Sequence, residues 1–128
     1  MIKITALDHL VLTVADMQKT IDFYTTILGM QEIAFGDNRK ALLFGTQKIN
    51  LHQKGAEILP NAQNADCGTA DLCLLTVTPL QEVIYVLQRH QVEILEGGIV
   101  PRTGAVGKIE SVYCRDPDGN LIEISRYV

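Results

Sequence analysis

The sequence predicts an α+β fold of two β-α-β-β-β modules, each a curved mixed sheet with its helix outside, the pair forming a cup. Three observations predict it. A strand-then-helix pattern occurs twice, as His9-Leu-Val-Leu-Thr-Val14 before one amphipathic run and as Asp71-Leu-Cys-Leu-Leu-Thr-Val77 before another. Between them, the stretch over about 56–69 is rich in Pro, Asn, Asp and Gly and has no period. The chain then closes on Asp116-Pro-Asp-Gly119 and an alternating strand, which is a turn with a mechanism. One domain is expected over 1–128, with module one over about 5–55, a link over about 56–69 and module two over about 70–128.

Taken in order, Leu7 to Val14 is dense in β-branched and aliphatic residues and reads as a buried strand. Asp16 is placed to cap a helix whose apolar residues Met17, Ile21, Tyr24, Ile27 and Leu28 recur at helical spacing, and Gly29 stops it. Short strands come next over about 30–35, 40–44 and 48–53, parted by Gly36-Asp-Asn38 and Gly45-Thr-Gln47. After the link, Asp71 to Val77 is a strand, and Thr78, Pro79 and Gln81 suggest a capping box for a helix that buries Leu80, Val83, Ile84 and Leu87. Strands near 92–95 and 109–115 succeed it, and Leu121 to Ser125 closes the chain. On that last strand Ile122 and Ile124 share one face. Glu123 lies on the other with Leu121 and Ser125, so a carboxylate stands mid-strand where burial demands a partner.

Bulk properties narrow the function classes. A chain of 128 residues with 47% hydrophobic and 20% charged content suits one packed domain and not a disordered segment. A net charge of -4 leaves no basic footprint for nucleic acid or an anionic membrane. No apolar run reaches the roughly eighteen residues of a membrane span. Met1-Ile-Lys-Ile-Thr5 lacks the features of a signal peptide, so a cytoplasmic location is expected. Cys67, Cys73 and Cys114 are odd in number and widely spaced, as reduced thiols are, and Cys73 and Cys114 read as core filler.

The candidate chemistry comes from the repeat. His9 opens the first strand of one half and Asp71 that of the other, while His52 and Glu123 lie on the last strands of their halves. Ile49 and Leu51 would pack toward the helix, leaving Asn50 and His52 on the concave face. Each residue alone has an ordinary reading, a core or surface histidine or a solvated carboxylate; their equivalent positions make a shared role the better one. Imidazole with carboxylate suits Mn, Fe, Co, Ni or Zn with an open coordination position, and the lack of thiolates argues against a closed structural zinc site. The expected metal set is His9, His52, Asp71 and Glu123.

The duplication, Leu7 to Val14, the helix segment Thr20-Ile-Asp-Phe-Tyr-Thr-Thr-Ile-Leu-Gly29 and the closing Asp116-Pro-Asp-Gly-Asn-Leu-Ile-Glu-Ile124 together resemble the vicinal oxygen chelate superfamily. That superfamily includes glyoxalase I, fosfomycin-resistance thiol transferases, bleomycin-binding proteins, methylmalonyl-CoA epimerase and extradiol dioxygenases. Ile49 to His52, Ala70 to Leu74 and Val100 to Tyr113 look more narrowly like its glyoxalase-domain-containing branch. The resemblance implies a divalent metal, with His9 matching the first-strand histidine and Glu123 the closing-strand glutamate. Asp71 stands where histidine or glutamine is commoner, and Asn50 aligns with the fourth-strand ligand position, one strand step from His52.

The resemblance also implies a metal-dependent glyoxalase I-like lyase acting on a small oxygen-chelating substrate, such as the hemithioacetal of methylglyoxal with glutathione or another thiol. Glu123 would be its catalytic base. Extradiol ring cleavage and thiol transfer on the same site are alternatives. For the latter, Arg39, Arg102 and Lys108 are the candidate anion contacts, Arg102 being read as part of a Gly-containing loop that clamps substrate. A metal-free sequestering protein is an alternative of another class, though no Trp, three Phe and four Tyr give it little stacking surface. A homodimer is also implied, with His9 and Glu123 meeting across its interface.

Overall fold

Each of the two repeated patterns folds into its own four-stranded mixed sheet carrying one helix. The structure, a computed structural model, describes residues 1–128 and divides into two units, Met1–Cys67 and Gly68–Val128. The first holds β1 (His9–Val14), α1 (Met17–Asp22) prolonged by a π-helical turn (Phe23–Ile27), β2 (Gln31–Phe35), β3 (Arg39–Phe44) and β4 (Gln47–Gln53). Its strand order is β1-β4-β3-β2, with β1 and β4 parallel and the other neighbours antiparallel. A parallel pair needs a crossover, and α1 supplies it.

Local chemistry sets the joints of this unit. Asp16 sits in extended geometry and its carboxylate accepts the Lys19 amide at 3.1 Å, so it caps α1. The Gln53 amide at the end of β4 donates to the Val14 and Ala15 carbonyls at 3.1 and 2.7 Å and accepts the Met17 amide at 3.2 Å. One side chain thereby ties β4 to the end of β1 and to the start of α1. Thr25 Oγ1 bonds back to the Ile21 carbonyl at 2.7 Å, the kind of contact that bends a helix, in a run of β-branched residues that fit one poorly. The helix widens there, and Gly29, at φ +73°, ends it. Leu12, Val14, Leu42, Ile49 and Leu51 on the sheet and Ile21, Phe23 and Tyr24 on the helix are buried.

The second unit holds β5 (Asp71–Leu75), α2 (Leu80–Arg89), β6 (Leu95–Thr103), β7 (Lys108–Arg115) and β8 (Leu121–Tyr127), in the order β5-β8-β7-β6 with β5 and β8 parallel. The expected capping box at α2 does not form. Pro79 itself is the cap residue, in extended geometry and with no side-chain bond, while the Thr78 amide donates to Thr76 Oγ1 at 3.0 Å. Leu80, Val83 and Leu87 are buried as the helical spacing predicts while Ile84 is only half-buried, and Val112, Cys114, Ile122 and Ile124 are buried on the sheet. β6 is longer than the short strand expected, because the β6–β7 register, interrupted between Leu95 and Val100, resumes as far as Thr103.

The turn before β8 is the best-bonded stretch of this unit. Asp116 Oδ1 accepts the Asp118 and Asn120 amides at 3.0 and 2.9 Å, its Oδ2 accepts Asn120 Nδ2 at 2.8 Å, and Gly119 takes φ +86°. Asn120 Oδ1 in turn accepts the Ala70 amide at 2.9 Å, so the turn also anchors the start of β5. A Cβ at Gly68 would stand 2.5 Å from the Asp118 carbonyl oxygen, which only glycine permits. Because Asn120 is buried and bonds in three directions, Asn120→Ala is expected to cost about 2–3 kcal/mol of unfolding free energy, measured by urea denaturation.

Candidate functional site

The face of the second sheet turned away from α2 gathers the polar residues. Glu123 on β8 pairs in register with Cys73 on β5 and Tyr113 on β7, and Ser125 pairs with Ser111. By the two-residue period Asp71, Cys73, Ser111, Tyr113, Glu123 and Ser125 share one face, opposite Ile122 and Ile124. Glu123 Oε2 accepts the Ser111 hydroxyl at 2.6 Å. Ser111 and Ser125 oxygens are 2.7 Å apart, and Cys73 Sγ is 3.3 Å from Ser125 Oγ. Ser111 donates to the carboxylate and Ser125 Oγ also donates toward Glu123 Oε2 at 3.4 Å, so the Cys73, Ser125 and Ser111 groups form one network that converges on Glu123.

A second arm reaches Glu123 from β6. Tyr113 stands beside Glu123 in the β7–β8 register and its hydroxyl accepts Arg102 Nε at 3.1 Å, while the guanidinium carbon lies 5.3 Å from the Tyr113 ring centre. Burial first, and Glu123 in addition, raise the Tyr113 pKa against the lowering effect of Arg102. The expectation that Arg102 belongs to a loop is therefore corrected: it is in β6, in register with Ile109, and held on Tyr113. The reading of Cys73 as core filler is corrected too, since Cys73 is exposed on the Glu123 face while Cys114 is buried. Partial loss of solvation on the sheet face chiefly, with the Glu123 and Asp71 carboxylates, raises the Cys73 pKa against the lowering contact of Ser125, so it remains a thiol at neutral pH; burial lifts that of Cys114 to about 11.

The corresponding face of the first sheet carries His9, Val11 and Thr13 on β1, paired with Lys48, Asn50 and His52 on β4. His9 Nδ1 is 2.8 Å from Asp8 Oδ2, a contact that orients the ring and leaves Nε2 free to ligate. Comparing the two parallel pairs assigns equivalences: His9 corresponds to Asp71, Val11 to Cys73 and Asn50 to Glu123, while His52 corresponds to Ser125. His52 pairs four residues beyond His9, a separation of about 13 Å along the strand. His9 and His52 thus share a face at that separation; it is Asn50 that stands diagonally beside His9, as Glu123 does beside Asp71. No group of three His, Cys, Asp or Glu side chains comes together in the chain in a metal-holding arrangement.

Ser111, Ser125 and Tyr113 are the site residues that sequence reasoning missed. Their signal was two serines and a tyrosine at the polar phase of otherwise apolar strands, but only the register shows that they meet Glu123. His52 is buried, and burial first, with the Arg39 guanidinium second, pushes its pKa below the ordinary imidazole value of about 6.5, while Glu57 pulls the other way. The unfolded chain then takes up a proton that the folded one refuses. The contribution is whole above the unfolded value and is lost as pH falls through the window below it. The thermal midpoint is expected to drop between about pH 7 and about pH 5, and His52→Leu to flatten that part of the profile, as read by scanning calorimetry.

Known proteins share this architecture along its whole length. The chain is 54% identical over 125 residues to Virulence protein STM3117 of Salmonella typhimurium, covering 98% of this chain and 86% of that one. The crystal structure of that protein superposes with a TM-score of 0.96 over 99% of this chain and 100% of its own. Glyoxalase domain-containing protein RDO1 of Mycosarcoma maydis is 53% identical over 98% of this chain and 70% of its own length. Metallothiol transferase FosB of Staphylococcus epidermidis is 29% identical over 95% of this chain and 82% of its own. No helix is long and apolar enough to cross a membrane. The family model for the Glyoxalase/Bleomycin resistance protein/Dioxygenase superfamily matches residues 6–124, and with two such units and these relatives the chain belongs to that superfamily.

Proposed function

We propose that the chain is a divalent-metal-dependent lyase of the glyoxalase I type, acting on the hemithioacetal of a small 2-oxoaldehyde with a thiol such as glutathione. The observation that carries this reading is the setting of Glu123: a half-buried carboxylate on the polar face of β8, bonded by Ser111 and paired in register with Tyr113, with Asp71 one pleat step away. A group so held is placed to act as a base without first reorganising its surroundings. Glu123 would take the proton from the carbon that bears sulfur and return it to the neighbouring carbon, a net isomerisation that needs no oxidant. Ser111 and Tyr113 would keep the carboxylate oriented through both transfers.

His9, Asp71 and Glu123 are the residues that would hold the metal. Imidazole and carboxylate donors fit a borderline divalent ion, and the Asp8 contact to His9 Nδ1 is the kind of outer partner that positions a ligating imidazole. When bound, such an ion would supply Lewis acidity toward adjacent substrate oxygens. In the homodimer that the family resemblance implies, His9 would come from one protomer and Asp71 and Glu123 from its partner. His52 is left out because of its spacing from His9.

A second reading, thiol transfer to a small anionic electrophile, is favoured by the likeness to the metallothiol transferase of S. epidermidis. There Arg102, fixed on Tyr113, would face the anion. The two readings separate in one set of assays with Ni, Co, Zn or Mn supplied. Hemithioacetal isomerisation with methylglyoxal and glutathione is expected, with Glu123→Gln lowering kcat by about 10²–10⁴-fold and leaving the melting profile in place. Thiol consumption with fosfomycin but no isomerisation would favour transfer, and silence of every metal form in the first assay would sink the lyase reading.

A further inference from the structure

Strand β6 breaks its pairing beside Tyr113. Leu95 pairs with Tyr113 and Val100 with Ser111, so five steps along β6 answer to two along β7 and three residues are extra. Glu96, Gly97 and Gly98 take up the excess in the left-handed region, at φ +57°, +77° and +120°. Glycine adopts that conformation freely and glutamate does not, so the backbone at Glu96 carries strain. A Cβ at Gly97 or Gly98 would meet nothing within 4 Å, so packing does not require either glycine. What the bulge does achieve is to bring the Glu96 carboxylate to 3.6 Å from Arg102 Nη2.

The other contacts of Arg102 leave one end of it open. Arg102 lies on the face of Val100, which is that of Ser111 and Tyr113. Its Nε donates to the Tyr113 hydroxyl oxygen at 3.1 Å and its Nη1 to the Pro101 carbonyl at 2.9 Å, so the guanidinium is tethered from two sides. Nη2 has further hydrogens to give. At 3.6 Å Glu96 balances the charge of that end without an ordinary hydrogen bond to it. The side chains are open to solvent, 38% for Arg102 and 61% for Glu96, so a ligand can reach the pair and the carboxylate can swing away. An exposed pair of this kind adds little to the stability of a fold. Backbone strain that yields so little stability is better explained by what the carboxylate does to Arg102.

We infer that Glu96 is a built-in counter-anion that sets the charge selectivity of Arg102. With the carboxylate in place, the guanidinium still offers its unused donors to an uncharged polar group. A dianion such as a sulfate, phosphate or phosphonate group instead meets a pair of no net charge and the repulsion of Glu96. It binds only by displacing the carboxylate, and the two glycines that follow supply the backbone freedom for that movement. Glu96 is thus a specificity-determining residue, favouring the uncharged reacting end of a hemithioacetal over an anionic electrophile. The inference rests on Arg102 facing the ligand, as the transfer reading has it. Its test involves no turnover, so a chain inactive in both assays leaves it standing.

Inorganic sulfate serves as the probe, titrated at constant ionic strength into the metal-stripped full chain while the Tyr113 ring resonances are followed by NMR. The native chain is expected to bind it weakly. Glu96→Gln, which keeps the shape and removes the charge, is expected to bind it about tenfold more tightly, and acetate, with a single charge, to gain less. Arg102→Gln should abolish sulfate binding, and Glu96→Gln added to Arg102→Gln should restore none of it. Equal affinity in the native chain and in Glu96→Gln, or no sulfate binding in either, would overturn the proposal. So would a gain that persists without Arg102, since Glu96 would then act through the general field of the surface. The Arg102 Nε–H resonance checks the tether to Tyr113. Its position kept in Glu96→Gln supports a charge effect; its loss together with weaker sulfate binding would show that Glu96 holds Arg102 in place instead.

Discussion

The parallel pairing of the first and last strands in each unit is the constraint on which everything else depends. In the first unit β1 and β4 are locked because Leu12, Val14, Ile49 and Leu51 must all face the helix side together. A slip of one residue would send those side chains to the wrong face and His9, Asn50 and His52 into the core. In the second, Ile122 and Ile124 hold β8 against β5, and the Asp116–Asn120 turn fixes where β8 begins. Register is therefore what converts a sequence of alternating residues into two polar faces of defined membership.

On that shared frame the units carry different chemistry. The second face is acidic and hydroxylic: Glu123 where the network of Cys73, Ser125 and Ser111 converges, with Tyr113 and Arg102 joining from the other side. The first is cationic and amphoteric: Arg39 and Lys48 on Phe35, beside an uncharged imidazole and an amide. Duplication kept the scaffold and let the polar phase of each strand diverge, so Asn50 and Glu123 occupy the same place in their units and do different things. A superfamily that hosts lyases, transferases, dioxygenases and binding proteins is what such freedom produces.

Much of this was legible in the sequence because it rests on local periodicity. The strand-helix repeat, the Asp16 cap, the stop at Gly29 and the turn at Asp116–Gly119 all arise from side-chain chemistry within a few residues, and the structure agrees with each. The faces of β4 and β8 were legible for the same reason, by counting in twos. What was not legible depended on partners far along the chain. The capping box at α2 failed because Pro79 took the cap position itself. Arg102 looked like a loop residue because Pro101 and Gly104 flank it, and only its pairing with Ile109 on β7 shows the strand. His52 was included because it sits on a last strand as Glu123 does, and the register against the first strand agrees with the alignment that put Asn50 in that place.

The most direct test of the central reading, that Glu123 and His9 belong to one divalent-metal site, is calorimetric titration of metal-stripped protein with Ni and Mn. Saturation at one ion per chain, lost in both His9→Ala and Glu123→Ala but retained in His52→Leu, is the predicted result. Stoichiometric binding that survives the loss of His9 and Glu123, or that disappears with His52, would contradict it.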